Sequence, residues 1–311
     1  MTKIEWVKNA DGSQGKTWNP IVGCSIVSPG CTNCYAMDIA AKRLDPRVPH
    51  YAGTTKRVNG HAVWTGKVAL APDRILTEPL RRRKPTTYFV NSMGDLFHES
   101  VPDEWIDKVF AVMALAPQHT FMVLTKRSAR MHAYMTKNTQ AGWMTGHACG
   151  RIGDAIERMR VDNRPVGPTP HGEPGSRWWP LPNVMLGVTA EDQQRADERI
   201  PDLLATPAAK RFVSVEPMLG QVDLASIKNE WSALDDGCDD GVRAQPTLDW
   251  VICGGESGHD ARPMNPDWAR LLRDQCGAGG VPFFMKQMGG ATKKSMPPIP
   301  DDLMLRETPH D

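Results

Sequence analysis

Six short apolar runs, each closed by polar residues and separated from the next by helix-like or long loop sequence, constrain this chain more than any other feature. The runs are Thr87–Asn91, Thr120–Thr125, Val184–Thr189, Arg211–Val215, Trp250–Cys253 and Pro282–Lys286. They are nearly continuous in apolar, β-branched and aromatic residues rather than alternating, as expected of strands buried on both faces of a parallel sheet. Between them, Asp103 to Ala116 places Trp105, Ile106, Val109, Phe110, Met113 and Ala114 on one helical stripe, with Pro102 and Asp103 at its start. Gln193 to Leu204, and Asp267 to Cys276 after Pro266, repeat that pattern. Strands alternating with helices imply βαβ units, and therefore a barrel or a doubly wound sheet.

The residues after each run choose between the two. Asn91-Ser-Met-Gly-Asp95, Thr125-Lys-Arg127, Thr189-Ala-Glu191, Ser214-Val-Glu-Pro217, Gly254-Gly-Glu-Ser257 and Lys286-Gln287 put polar groups at every strand end. A barrel builds its site on that face, whereas a dinucleotide fold concentrates its signal in one G-x-G-x-x-G turn, which no run here precedes. Thr189, Asp95 and Ser257 suit helix caps equally well. The expected fold is α/β, a full or partial (β/α) TIM-type barrel with loop insertions, its first strand near Trp18 to Gly23. Residues 1–295 form one domain on this reading, with insertions near 45–68, 137–182 and 235–246, and 296–311 form a C-terminal tail.

Length and charge bound the function. A chain of 311 residues buries a core without disulfides. Its longest apolar stretches, such as Val109 to Ala116, fall far short of the roughly 20 residues that cross a bilayer. The first residues, MTKIEWVKNADG, carry no apolar signal core, so no membrane partner and a cytoplasmic location are expected. A net charge of +1 gives no general affinity for nucleic acid. Such a partner has to be held locally, by the run Arg81-Arg-Arg-Lys84 on phosphate or by Trp178 and Trp179 stacked on a base; a solvated helix end and a covered rim are the ordinary meanings of these features.

Three of the seven cysteines, Cys24, Cys31 and Cys34, fall in one segment with Gly23, Pro29 and Gly30, residues that let a loop fold back tightly. Cys149, Cys238, Cys253 and Cys276 are isolated. Structural zinc takes four protein ligands, and the nearest histidines, His50 and His61, lack a paired ligand spacing. Three thiolates with an open fourth position suit an iron–sulfur cluster with one iron left for a small molecule; zinc and three unligated thiols are the alternatives.

Seven linked motifs carry a resemblance: IEW…TWNP-x-x-GC-x6-C-x-x-CYA, FVNSMGDLFHE, LTKR, NVMLGVTAE, RFVSVEPMLG, CGGESG…ARPM and PFFMKQMGG, spread from Ile4 to about Gly290. Together they resemble a phage-encoded three-cysteine-motif family grouped with the radical S-adenosylmethionine enzymes. The resemblance implies a [4Fe-4S] cluster on Cys24, Cys31 and Cys34, with Tyr35 as the adjoining aromatic residue, and S-adenosyl-L-methionine as the second cofactor. An electron from the cluster then cleaves the sulfonium to give a 5′-deoxyadenosyl radical. The common superfamily spacing is C-x3-C-x2-C; here the first gap is six residues.

Cofactor contacts follow by residue type. The methionine ammonium needs a carboxylate or carbonyl, and its carboxylate a cation or N–H groups. Asn91, Ser92 and Asp95 stand where superfamily members place an ammonium-binding motif; Lys126 or Arg127 suits the carboxylate; Ser214 and Glu216 suit ribose or ammonium; Gly254, Gly255 and Glu256 offer close backbone approach and an anion. The implied activity is radical modification of a nucleic-acid base with DNA and an electron donor as partners. The best match is isomerisation of an amino-acid-substituted, glycinyl-type thymidine in viral DNA hypermodification, which protects against host restriction. A photoproduct-lyase-like repair enzyme and a zinc-stabilised nucleic-acid-binding protein without catalysis are the other readings.

Overall fold

The computed structural model describes residues 4–137, 147–161, 179–235, 246–292 and 295–309. Cys238, Trp178 and most of the 137–182 and 235–246 insertions lie outside them. Seven strands form one sheet in sequential order: β1 Lys16–Trp18, β2 Thr87–Val90, β3 Thr120–Thr125, β4 Val184–Thr189, β5 Lys210–Val215, β6 Trp250–Gly254 and β7 Phe283–Gln287. The pairings of β1 with β2, β2 with β3, β5 with β6 and β6 with β7 are parallel. The order never reverses, so the doubly wound alternative, which needs a reversal, is not realised. Nor is the closed barrel: the order runs from β1 to β7 without joining its ends.

The chain divides into two compact units, Met1–Ile26 with Ala36–Leu186 and Thr206–Ala209, and Val27–Tyr35 with Gly187–Ala205 and Lys210–Asp311. In the first, α1 (Asp103–Ala114) buries Ile106, Val109, Phe110 and Met113 as its stripe requires. Trp105 is only half-buried, and Asp107 is buried instead, accepting from Tyr134 Oη at 2.6 Å on α2 (Ser128–Thr136) and from Arg151 Nε at 3.1 Å on α3 (His147–Val161). Tyr88 of β2 stacks on Phe121 of β3 at 5.4 Å, with Trp18 of β1 5.6 Å from the same ring. The expected first strand is displaced: the sheet takes Lys16–Trp18, while Ile21–Val22 pairs antiparallel with Ala69–Leu70. Pro20 explains the break, since it cannot donate to a ladder. Within 45–68, Thr55–Val58 and His61–Trp64 form a two-stranded antiparallel hairpin.

In the second unit, α4 (Gln193–Ala205) and α5 (Pro266–Ala278) pack on β5 and β7 respectively. Asn265 caps α5, its side chain accepting from Asp267 N, ahead of Pro266 in the first turn. The segment expected as a tail is integrated. Arg306 bridges antiparallel to Phe284 of β7, Met285 N donates to Leu305 O at 2.8 Å, and Glu307 N donates to Phe283 O at 3.1 Å.

Candidate functional site

Cys24 is delivered to its place by a turn that only glycine tolerates. Gly23 has φ +87°, and a Cβ on it would lie 2.1 Å from Lys67 O. Gly23 bridges Gly94 in the loop after β2, so Cys24 stands at the C-terminal end of that strand. Asn19 ties the same loop down, its Oδ1 accepting from Ser92 Oγ at 3.2 Å and Met93 N at 2.9 Å.

Around Cys24, the residues that follow β2 and β3 close into one network on Arg127, which is 6% exposed. Its Nη1 donates to Asp95 Oδ2 at 3.0 Å and faces Cys24 Sγ at 3.6 Å. Nη2 donates to Ser25 Oγ at 2.8 Å and Ser25 O at 3.2 Å, and Nε to both oxygens of Glu99. Burial works against the Arg127 charge, but Asp95, Cys24 and Glu99 outweigh it and raise its pKa further. Asp95 also accepts from Thr125 Oγ1, Phe97 N and Lys126 N, so its carboxylate is engaged within the protein. Asn91 differs. Its Oδ1 accepts weakly from Ile21 N at 3.5 Å, while its buried Nδ2 has no acceptor among the described residues.

Ser25 and His98, 2.9 Å apart, superficially suggest a nucleophile and its base. Burial, then Arg127, lowers the His98 pKa, leaving the ring neutral at pH 7. Its Nδ1 accepts from Ser100 N at 3.0 Å, so Nε2 carries the proton and donates to Ser25. That tautomer cannot take a proton from the serine, and a hydrolytic dyad is not available here.

Cys31 and Cys34 belong to the second unit, on a segment seated on the ends of β4 and β6. Cys31 N donates to Ser28 O at 2.9 Å and Cys34 N to Cys31 O at 3.4 Å. Glu191, after β4, accepts from the Ser28 hydroxyl and from Arg199 Nη1 at 2.7 Å. Glu256, after β6, accepts from Asn33 Nδ2 at 3.0 Å and from Arg262 Nε at 2.8 Å, and Arg262 Nη2 reaches Pro29 O at 2.9 Å. Burial raises the Glu256 pKa, but the hydrogen bonds from Arg262 and Asn33 outweigh it and the net shift is downward. Its stabilising contribution is therefore complete above the ordinary value of 4.5 and is lost as pH falls below it. Glu256→Gln should be less stable than the parent at pH 7, and the gap in urea midpoint should narrow below pH 4.5. A gap constant with pH refutes this linkage.

The other expected contacts in the second unit lie on strands or just after them. Ser214 of β5 is buried, and its carbonyl accepts from Ala190 N. Glu216 and Lys286 form an ion pair, and a Cβ on Gly254 would rest 3.4 Å from Lys286 Cβ, an ordinary contact. Gly255 is packed against backbone, its Cβ position 2.2 Å from Gly289 N. Arg199, Arg262, Asn33, Ser25, Ser28, His98 and Glu99 were not among the expected site residues. Arg262 lies in the ARPM motif and Glu99 in FHE, but nothing in a sequence says which carboxylate an arginine will hold.

None of Cys24, Cys31, Cys34, Cys253 and Cys276 forms a disulfide. Burial pushes the Cys276 thiol up to about 12 and Cys253 higher still, so neither is poised as a thiolate ligand. Among the described residues, no three His, Cys, Asp or Glu side chains are gathered to hold a metal ion. No described helix is long and apolar enough to cross a membrane. The basic run lines a surface hollow with Glu78. It precedes β2 and so sits at the N-terminal end of that strand, away from Cys24, with Lys84 paired to Asp11 at 3.0 Å. Trp179 packs on Phe110 at 5.6 Å.

Residues 1–308 match a family model described as protein of unknown function (DUF5131). No curated protein and no solved structure matches the chain.

Proposed function

We propose that this chain, which belongs to the DUF5131 family, is an iron–sulfur enzyme of the radical S-adenosylmethionine type on a partial (β/α) barrel of TIM type. One observation supports the reading. The three thiols that fall in one stretch of the sequence each lie on backbone seated at a C-terminal strand end, Cys24 against Arg127 in the first unit and the Cys31–Cys34 segment on Glu191 and Glu256 in the second. The donor set fits such a cluster in kind: three thiols, one of them with a guanidinium nitrogen 3.6 Å from its sulfur. Cys24, Cys31 and Cys34 would hold the cluster. When bound, it supplies the electron that splits S-adenosylmethionine into methionine and a 5′-deoxyadenosyl radical.

The orphaned Asn91 Nδ2 supports a second cofactor at the same strand ends, because a buried donor without an acceptor carries a cost that a ligand oxygen removes. As a donor it suits the methionine carboxylate rather than the ammonium. Ser92, Lys126, Ser214, Gly254 and the Glu216–Lys286 pair remain the further candidates for cofactor contacts, while Asp95, Gly255 and Glu256 have structural partners that account for them.

The substrate class we favour is a modified base in DNA, an amino-acid-substituted thymidine whose isomerisation shields viral DNA from restriction, with an external electron donor. The basic run does not rim the cysteine site, so DNA contacts there rest on other groups. The test is anaerobic purification, then incubation with dithionite, S-adenosylmethionine and DNA, followed by nucleoside mass spectrometry with fragmentation. A brown protein with about four irons that releases 5′-deoxyadenosine and changes a nucleoside is expected. A change confined to irradiated DNA selects the lyase; a colourless protein carrying zinc overturns the enzyme reading.

A further inference from the structure

We infer that Glu191 is a positioning residue that seats the Cys31 loop before any metal arrives, through Ser28 and Gly30. Glu191 is fully buried. A carboxylate in that setting is tolerated only when its oxygens are paired, and its two oxygens are divided between two tasks. Oε2 takes Arg199 Nη1 at 2.7 Å, and the same nitrogen donates to Thr189 O at 2.7 Å, which ties the ion pair to the end of β4. Oε1 takes the hydroxyl of Ser28, whose oxygen also lies 3.8 Å from Cys31 Sγ. Ser28 O receives Cys31 N, so the loop closes on the residue that the carboxylate holds.

Gly30 makes the seat specific. A Cβ there would lie 2.4 Å from both Cγ and Oε1 of Glu191, so the loop reaches the carboxylate only because residue 30 has no side chain. No left-handed backbone is involved at Gly30; the requirement is space. Ser28, Gly30 and Cys31 thus refer to one buried anion, in the manner of outer groups that orient metal ligands. The seating itself is independent of the cluster; its consequence for catalysis rests on the proposed function.

Mass-resolved alkylation of the metal-free full chain tests this. Cys31 is 8% exposed and Cys253 is fully buried, so Cys253 serves as the internal control. Losing a hydrogen bond to a charged group should favour local opening by roughly tenfold. Ser28→Ala is therefore expected to speed Cys31 labelling by about that factor with Cys253 unchanged, and Ser28→Thr to restore protection. Gly30→Ala should speed it similarly in the parent, yet add little in a Glu191→Ala background, because the two residues are coupled by contact. The Ser28 pair keeps the test open if Glu191→Ala does not fold. Unchanged Cys31 labelling in Ser28→Ala, or a Gly30→Ala effect equal in both backgrounds, overturns the inference. Iron counted after anaerobic reconstitution separates the two claims: no iron in the parent sinks the cluster, whereas the labelling pattern still decides the seat.

Discussion

Arg127→Met is expected to destabilise the chain by about 3–5 kcal/mol, as removal of one partner from a buried ion pair does. The side chains of Arg127 and Asp95 are 4% and 6% exposed, and Arg127 is the cation paired with Asp95 among the described residues. Methionine fills the volume but leaves the Asp95 carboxylate buried with only neutral donors: Thr125 Oγ1, Phe97 N and Lys126 N. Arg127→Lys should recover little. The guanidinium serves Asp95, Ser25, Glu99 and Cys24 with three nitrogens in one plane, a fork that an ammonium cannot reproduce. Urea unfolding at pH 7 measures both. A midpoint for Arg127→Met close to the parent's would mean that Asp95 finds water or another donor, and that the network is peripheral to stability.

Gly255→Ala should cost about 3 kcal/mol, the upper part of the range for overpacked sites. Its Cβ would lie 2.2 Å from Gly289 N, 2.6 Å from Gly289 Cα and 2.8 Å from Met288 C. All three are backbone atoms, which no rotamer change moves aside. Gly254→Ala is the matched comparison. There the nearest atoms are side-chain carbons of Lys286 and Glu216 at 3.4 to 3.6 Å, and the change should stay within about 1 kcal/mol. Equal losses in the two variants would refute the packing argument. A large effect of Gly254→Ala on cofactor binding, with stability kept, would instead mark the first glycine as the one that admits a ligand.

The strands were legible because burial on both faces demands unbroken apolar runs; Thr120–Thr125 and Val184–Thr189 appear in the structure with the expected bounds. Lys16–Trp18 was not, since three residues carry too little periodicity and Asn19-Pro20 hides where the ladder stops. Sheet closure was equally out of reach, because a local pattern gives strand identity and not the pairing of the first strand with the last. At the site, position was legible and partnership was not. Asp95 and Glu256 were found as polar strand ends, but a carboxylate that contacts a ligand and one that anchors an arginine look the same in sequence. Gly30 illustrates the gap: its sequence context indicates a loop that folds back tightly, whereas its role is clearance over Glu191, a residue 161 positions away.

The residues that run beside β7 have a consequence for the margin of the sheet. Strand edges carry unpaired amides and carbonyls that recruit a second chain, and a short cover strand is one way in which proteins blunt them. Leu305 and Glu307 occupy those groups on Met285 and Phe283, while Trp250 Nε1 donates to Glu307 O at 2.9 Å and holds the cover down. The closing stretch of the described chain thus acts as a stopper on one margin of the sheet, guarding against edge-to-edge assembly. A tag or label joined beyond it is tolerable only if residues 303–307 keep their seat.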